Sequence, residues 1–189
     1  MEETNALAEL LWMLVWHPRT GVLLALLAAA AVIDLRAFRI PNALTVPGMV
    51  YALAYGLASG GAAGLTSAVS GLLFGLLLLL PMYLLRFLGA GDVKLMAMVG
   101  AFVGPGPVLG AALYSVLAGG VLALAWTARH GALGRLASNL RFIAACLLSP
   151  AGGSWRTRTT GAIPTVGKLP FALGICLGTA AWLVVRQLT

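Results

Sequence analysis

The stretch GAGDVKL at residues 89–95 places a carboxylate, Asp92, at the start of an apolar run in a chain that is almost free of acids. The only other aspartate is Asp34, and the three glutamates lie within the first nine residues. Both aspartates adjoin apolar runs of membrane-spanning character, where an ionisable side chain is costly and is by default a functional candidate. We therefore predict that the two carboxylates form one site.

The composition predicts an integral membrane protein built from helices. Hydrophobic residues make up 61% of the 189 residues and charged residues only 9%. A soluble domain of this size could not bury so much apolar surface, and within a bilayer only helices or a closed barrel satisfy every backbone group. The apolar runs are continuous rather than alternating, which favours helices. The predicted fold class is all-α: a polytopic membrane helical bundle of about six transmembrane helices with additional interfacial helices.

Breaks in the apolar pattern separate the expected spans. Pro41 disfavours helix at the residue before it and ends the first element. The segment 59–64 (SGGAAG) is expected to be a flexible, uncharged link, and the segment 104–107 (GPGP) a strong break. The spans expected between these breaks are about residues 20–34, 43–58, 65–88, 92–103, 108–127 and 169–185.

Two segments are expected to lie on the membrane rather than cross it. The run 5–16 is too short for a span, and Trp12 and Trp16 on one face suit an interfacial helix within an N-terminal segment 1–19. A continuous span from this run to residue 33 is the alternative. Residues 128–167 form a basic loop, in which 133–148 is typical of an amphipathic helix on the membrane surface.

The distribution of basic residues predicts the topology. The links after the first, third and fifth spans carry Lys or Arg, whereas those after the second and fourth carry none. The positive-inside rule places the basic links in the cytoplasm and both termini outside. Asp34 and Asp92 then lie at the cytoplasmic ends of their spans, at the same depth. Because the basic residues occupy short links rather than one face, nucleic-acid binding is not expected, and the lipid bilayer is the expected surroundings.

Two neighbouring carboxylates can share a proton, so that one activates water while the other protonates a leaving amine. This chemistry needs neither metal nor cofactor. Gly89 and Gly91, which precede Asp92, would allow close backbone approach and a strained turn. Lys94 is expected to extend its ammonium towards the membrane interface. Two alternatives stay open: a small proton- or cation-coupled transporter that uses the same acids, and a non-catalytic membrane scaffold.

Two motifs resemble those of the type IV prepilin peptidase family, the GxGD-type membrane aspartic proteases. The first is Asp34 followed by Arg-x-x-x-Ile-Pro-Asn, and the second is GAGDVKLMAMVGAFVG at 89–104. The segment LPFALG at 169–174 is similar to the proline-aromatic motif of that family. The resemblance implies that Asp34 and Asp92 are the catalytic pair. The motif-supporting or substrate-binding residues that it implies are Gly89, Gly91, Lys94, Pro41 and Asn42.

The resemblance also implies an activity, a location and a partner. It predicts one integral membrane peptidase domain over residues 1–189, an aspartic endopeptidase of the bacterial inner membrane that removes the basic leader of prepilin-like proteins at the cytoplasmic face. The chain resembles the short, peptidase-only members associated with Flp/Tad-type pili, so N-methyltransferase activity is expected to be absent. A substrate of the archaeal preflagellin type and a homo-oligomeric state are left open.

Overall fold

A computed structural model of the protein describes residues 18–85, 88–129, 131, 134, 138 and 170–188. These residues form helices and no strand, which confirms the predicted all-α class. The predicted interfacial segment 5–16 and nearly all of the predicted amphipathic helix 133–148 lie outside the described residues. Within these ranges lie five helices, α1 to α5: Pro18–Ala37, Asn42–Leu84, Ala90–Val103, Pro107–Arg129 and Phe171–Leu188.

Three of the helices within the described ranges, α1, α2 and α4, are long and apolar enough to cross a membrane. Their mean hydropathies lie between 1.9 and 2.1, as expected for side chains that face lipid. The expected number of six spans stays a prediction, since α3 and α5 have 14 and 18 residues and reach the length of a span only in part.

Helix α2 reverses direction at a single residue, Gly61, whose backbone is non-helical at φ 58° and ψ −143°. In a continuous helix, Gly56 and Gly64 would lie about 12 Å apart along the axis. Instead, a Cβ atom added to Gly56 would lie 2.8 Å from the carbonyl oxygen of Gly64. The chain thus folds back into two packed arms. The prediction of a flexible link over the six residues 59–64 is therefore wrong. The residues on both sides of Gly61 are helical, and only Gly61 departs from helical geometry.

Helix α3 forms the centre of the bundle. Every residue from Leu95 to Phe102 is buried, and a helix that is apolar on all sides belongs in a protein interior. The second arm of α2 contacts its backbone directly. A Cβ atom at Gly75 would lie 2.5 Å from the carbonyl oxygen of Met96, and Gly71 lies against Gly100. Such small residues let membrane helices approach closely.

Contacts divide the chain into two compact units. One comprises the residues up to Gly120 together with 170–189, and the other comprises Val121–Leu169. Within the first unit, α5 packs antiparallel against the beginning of α4. The ring of Phe171 lies against Gly119, and the ring of Trp182 lies against Gly110. Of the second unit, the structure describes the end of α4 and three isolated residues.

We expect the substitution Thr179→Val to stabilise the protein. Thr179 is fully buried in α5, and its hydroxyl finds no hydrogen-bond partner among the described residues. Valine has nearly the same shape, so removing an unpaired buried hydroxyl should raise the free energy of unfolding by about 1 kcal/mol. The measurement is thermal unfolding in detergent. The control is Ser115→Ala, which should destabilise, because the Ser115 hydroxyl donates a hydrogen bond to the carbonyl oxygen of Ala111 at 2.6 Å. A lower Tm for Thr179→Val than for the wild type would contradict the expectation.

Candidate active site

The two aspartates line one cavity of about 550 Å³. It lies where the C-terminal end of α1 meets the N-terminal ends of α2 and α3. Asp34 comes from the last turn of α1 and Asp92 from the first turn of α3. The structure thus brings together the two acids that the sequence singled out. The same cavity is lined by all five residues expected to support them, namely Pro41, Asn42, Gly89, Gly91 and Lys94.

Asp34 is held by a helix from the far end of the chain. Its side chain is only 7% exposed, and its Oδ2 atom accepts a hydrogen bond from the backbone N–H of Ala172 at 3.2 Å. Ala172 lies in the first turn of α5, where backbone N–H groups have no partner within their own helix. Sequence reasoning missed this contact, because a backbone amide 138 residues away leaves no side-chain signal. The resemblance at 169–174 marked the segment but not its role.

Asp92 is bound by the turn that precedes its own helix. Its Oδ2 atom accepts a hydrogen bond from the N–H of Gly89 at 3.1 Å. Asp92 lies outside the three helices of membrane-spanning length. Burial raises the pKa of Asp92 to about 6, the hydrogen bond from Gly89 acts in the opposite direction, and the charge of Asp34 adds to the increase. The two carboxylates are therefore close enough to influence each other's charge.

The glycines beside Asp92 give close packing without strain. A Cβ atom at Gly91 would lie 3.1 Å from the Cβ of Ile40, so a larger side chain here would require Ile40 to shift. The expected strained turn is wrong, because Gly89 has ordinary extended backbone angles, φ −79° and ψ 155°, and Gly91 is helical. A positive φ occurs instead at Phe38, four residues after Asp34, with φ 49°. The N–H of Phe38 donates to the carbonyl oxygen of Asp34 at 2.8 Å and ends α1 there.

Lys94 does more than extend towards the membrane interface. Its Nζ donates a hydrogen bond to Oδ1 of Asn42 at 3.0 Å. Both side chains are exposed at the rim of the cavity. The bond joins the first residue of α2 to the fifth residue of α3, one half-turn after Asp92. It thereby connects two of the residues that the sequence proposed as supports.

A comparison with protein-family models identifies the family to which the chain belongs. Residues 21–124, more than half of the chain, match the model of the type IV leader peptidase family. The match includes both aspartates and all of α2 and α3, and it ends before α5 begins. No curated protein and no solved structure matches the chain. The extent of the family match, together with apolar helices of membrane-spanning length, establishes that the chain belongs to the type IV leader peptidase family of membrane proteins.

Proposed function

We propose that the chain is an aspartic endopeptidase that cleaves the leader peptide of type IV prepilins or prepilin-like proteins, with Asp34 and Asp92 as its catalytic residues. The observation that carries the proposal is the shared cavity, which is lined by the only two aspartates of the sequence. Membership in a leader peptidase family supports the reaction type. The experiment that tests it is cleavage of a prepilin-like substrate by the purified chain in proteoliposomes, with each aspartate replaced in turn.

The proposed reaction uses one proton shared by the pair. One carboxylate removes a proton from water, and the oxygen of that water attacks the scissile carbonyl carbon. The other carboxyl group first donates its proton to the carbonyl oxygen. When the tetrahedral intermediate collapses, the carboxyl group that took the proton from water donates it to the leaving amine, and the C–N bond breaks. The hydroxyl formed from the carbonyl oxygen returns its proton to the other carboxylate. With a pKa of about 6, Asp92 is largely ionised at neutral pH. We assign it the role of base and give Asp34 the proton.

We expect the cleavage rate to fall in mildly acidic solution. The pKa of Asp92 is raised, so its carboxylate takes up a proton at a higher pH than an ordinary aspartate does. As the pH falls below about 6, kcat/KM should therefore decline by about tenfold per pH unit. The measurement is initial cleavage rates between pH 4.5 and 8, and full recovery after return to pH 7 excludes unfolding. An unchanged rate down to pH 4.5 would contradict the role of Asp92 as the base.

The proposed location is the bacterial inner membrane, in a multi-pass arrangement with the cavity at the cytoplasmic face. Arg36 and Arg39 are exposed at this end of α1, where the positive-inside rule predicts the cytoplasm. Helix α3 is about 21 Å long, shorter than the 30 Å core of a bilayer. We infer that the bilayer is locally thinned around α3, so that Asp92 lies at its cytoplasmic surface. The apolar segment of a prepilin would lie in the membrane beside the helices, with its basic leader in the cytoplasm and the scissile bond near the cavity.

Substitution of Lys94 or Asn42, whose side chains form a hydrogen bond between α2 and α3, should reduce the cleavage rate modestly. Lys94→Met keeps the apolar part of the side chain but removes the donor to Asn42. Because the bond is exposed, its loss should lower kcat by about 2- to 10-fold. Asn42→Ala should have a similar effect, and the double variant should be no slower than either single variant. Additive losses in the double variant would show that the two side chains act independently. All rates are measured per amount of folded protein.

A further inference from the structure

We propose that the first turn of α5 positions Asp34 for catalysis, through the hydrogen bond from the Ala172 amide. This inference rests on the proposed peptidase function and adds a positioning residue to the proposed active site. Helix α5 lies beyond residue 124, where the match to the family model ends. The functional site therefore extends past the segment that identifies the family. Ala172 is a positioning residue rather than a catalytic one, because its amide contacts Asp34 and not the substrate.

The hydrogen bond constrains one oxygen of the Asp34 carboxylate. Ala172 is fully buried, so water does not compete for its N–H, and loss of this hydrogen bond would leave a buried donor without a partner. Its acceptor is Oδ2, and this leaves Oδ1 for the water or the shared proton. Asp92 is held in the same way, since Gly89 donates to its Oδ2. Each carboxylate thus has one oxygen bound to a backbone amide at a helix N-terminus.

Contacts farther along α5 determine the position of Ala172. The ring of Phe171 lies against Gly119 of α4, and a Cβ atom at Gly174 would lie 2.9 Å from the Cα of Gly119. One and two turns later, Gly178 lies against Ser115 and Trp182 against Gly110. A slide of α5 by one residue would move the amide by about 1.5 Å. In the direction away from Asp34, that shift would stretch the 3.2 Å bond beyond hydrogen-bonding distance.

The test removes the amide hydrogen and leaves the side chain unchanged. Ala172 in the full-length chain is replaced by its α-hydroxy acid, lactic acid, so that an ester oxygen takes the place of the N–H. We expect kcat for a prepilin-like peptide in proteoliposomes to fall by about 10- to 100-fold. KM should stay within about twofold, because substrate binding does not involve this amide. The matched control is the same ester change at Leu173, the next amide in the helix, which should leave kcat and KM within about twofold of the wild type.

The outcomes separate this inference from the proposed function. If the wild-type chain cleaves and the ester at 172 cleaves with the same kcat, or if the ester at 173 causes an equal loss, the positioning role is wrong. If the wild-type chain itself does not cleave, the proposed function fails first. Should the ester-containing chain not fold, Ala172→Pro replaces it, since proline is tolerated in the first turn of a helix and also lacks the N–H. A wild-type kcat in that variant would overturn the inference equally.

Discussion

Replacement of either Asp34 or Asp92 by asparagine should abolish cleavage, lowering kcat by about 10³-fold or more. Asparagine keeps the size of the side chain and can still accept the backbone hydrogen bond from Ala172 or Gly89. It can neither take a proton from water nor donate one as a carboxyl group does. The loss should therefore appear in the chemical step. The measurement is single-turnover cleavage of a prepilin-like substrate in proteoliposomes, normalised to folded protein.

The matched control is Glu9→Gln, the same change from acid to amide outside both motifs, which should cleave at the wild-type rate. Cleavage within tenfold of the wild type by either aspartate variant would contradict the proposed mechanism. Two further outcomes would identify the alternatives. Intact cleavage with loss of proton or cation flux would indicate a transporter, and loss of neither property would indicate a scaffold.

Replacement of Gly71 by leucine should destabilise the fold severely. A Cβ atom at Gly71 would overlap the carbonyl oxygen of Gly100 and would lie 2.8 Å from the Cα of Gly104. These are backbone atoms of α3 and its C-terminal cap, and they cannot turn aside as a flexible side chain could. Since α3 is buried on all sides, it has no room to shift. We expect the free energy of unfolding to fall by about 3 kcal/mol or more, measured by denaturation in detergent.

Gly120→Leu is the matched control for this prediction. It lies in α4, and a Cβ atom added there meets no heavy atom within 4 Å in the described part of the chain. This exposed substitution should not lower the free energy of unfolding, because leucine favours a helix more than glycine does. Equal stability of the Gly71→Leu and Gly120→Leu variants would show that the contact between α2 and α3 is not a tight one.

The features that sequence reasoning predicted correctly depend on composition and on strong local signals. Continuous apolar runs predict helices, since alternation would be needed for strands. The helix break predicted at 104–107 is present, and Gly104 has φ 91°. Proline disfavours helical backbone angles at the residue before it, and glycine readily adopts a positive φ. The shared location of Asp34 and Asp92 was predicted from the placement of basic residues along the chain. The cavity that contains both agrees with that expectation.

The features that it missed depend on tertiary contacts. Several glycines and alanines in 59–64 could have formed the reversal. The backbone angles of Gly61 show which residue does so, and the packing of Gly56 against Gly64 shows that the two arms meet. A phenylalanine in the left-handed backbone region, as at Phe38, has no sequence signature, because that region is disfavoured for bulky residues. The Ala172 amide carries no side-chain signal at all. The Lys94–Asn42 bond was hidden because a lysine at a membrane interface usually extends towards water.

The most direct test of the central claim, that the two aspartates act as one pair within a single chain, combines the two variants. Purified Asp34→Asn and Asp92→Asn chains are reconstituted separately and together with a prepilin-like substrate, next to the wild type, and the released leader is quantified by mass spectrometry. We expect the wild type to release the leader, and neither variant, alone or mixed, to do so. Release by either single variant, or by the mixture, would contradict a catalytic pair formed within one chain.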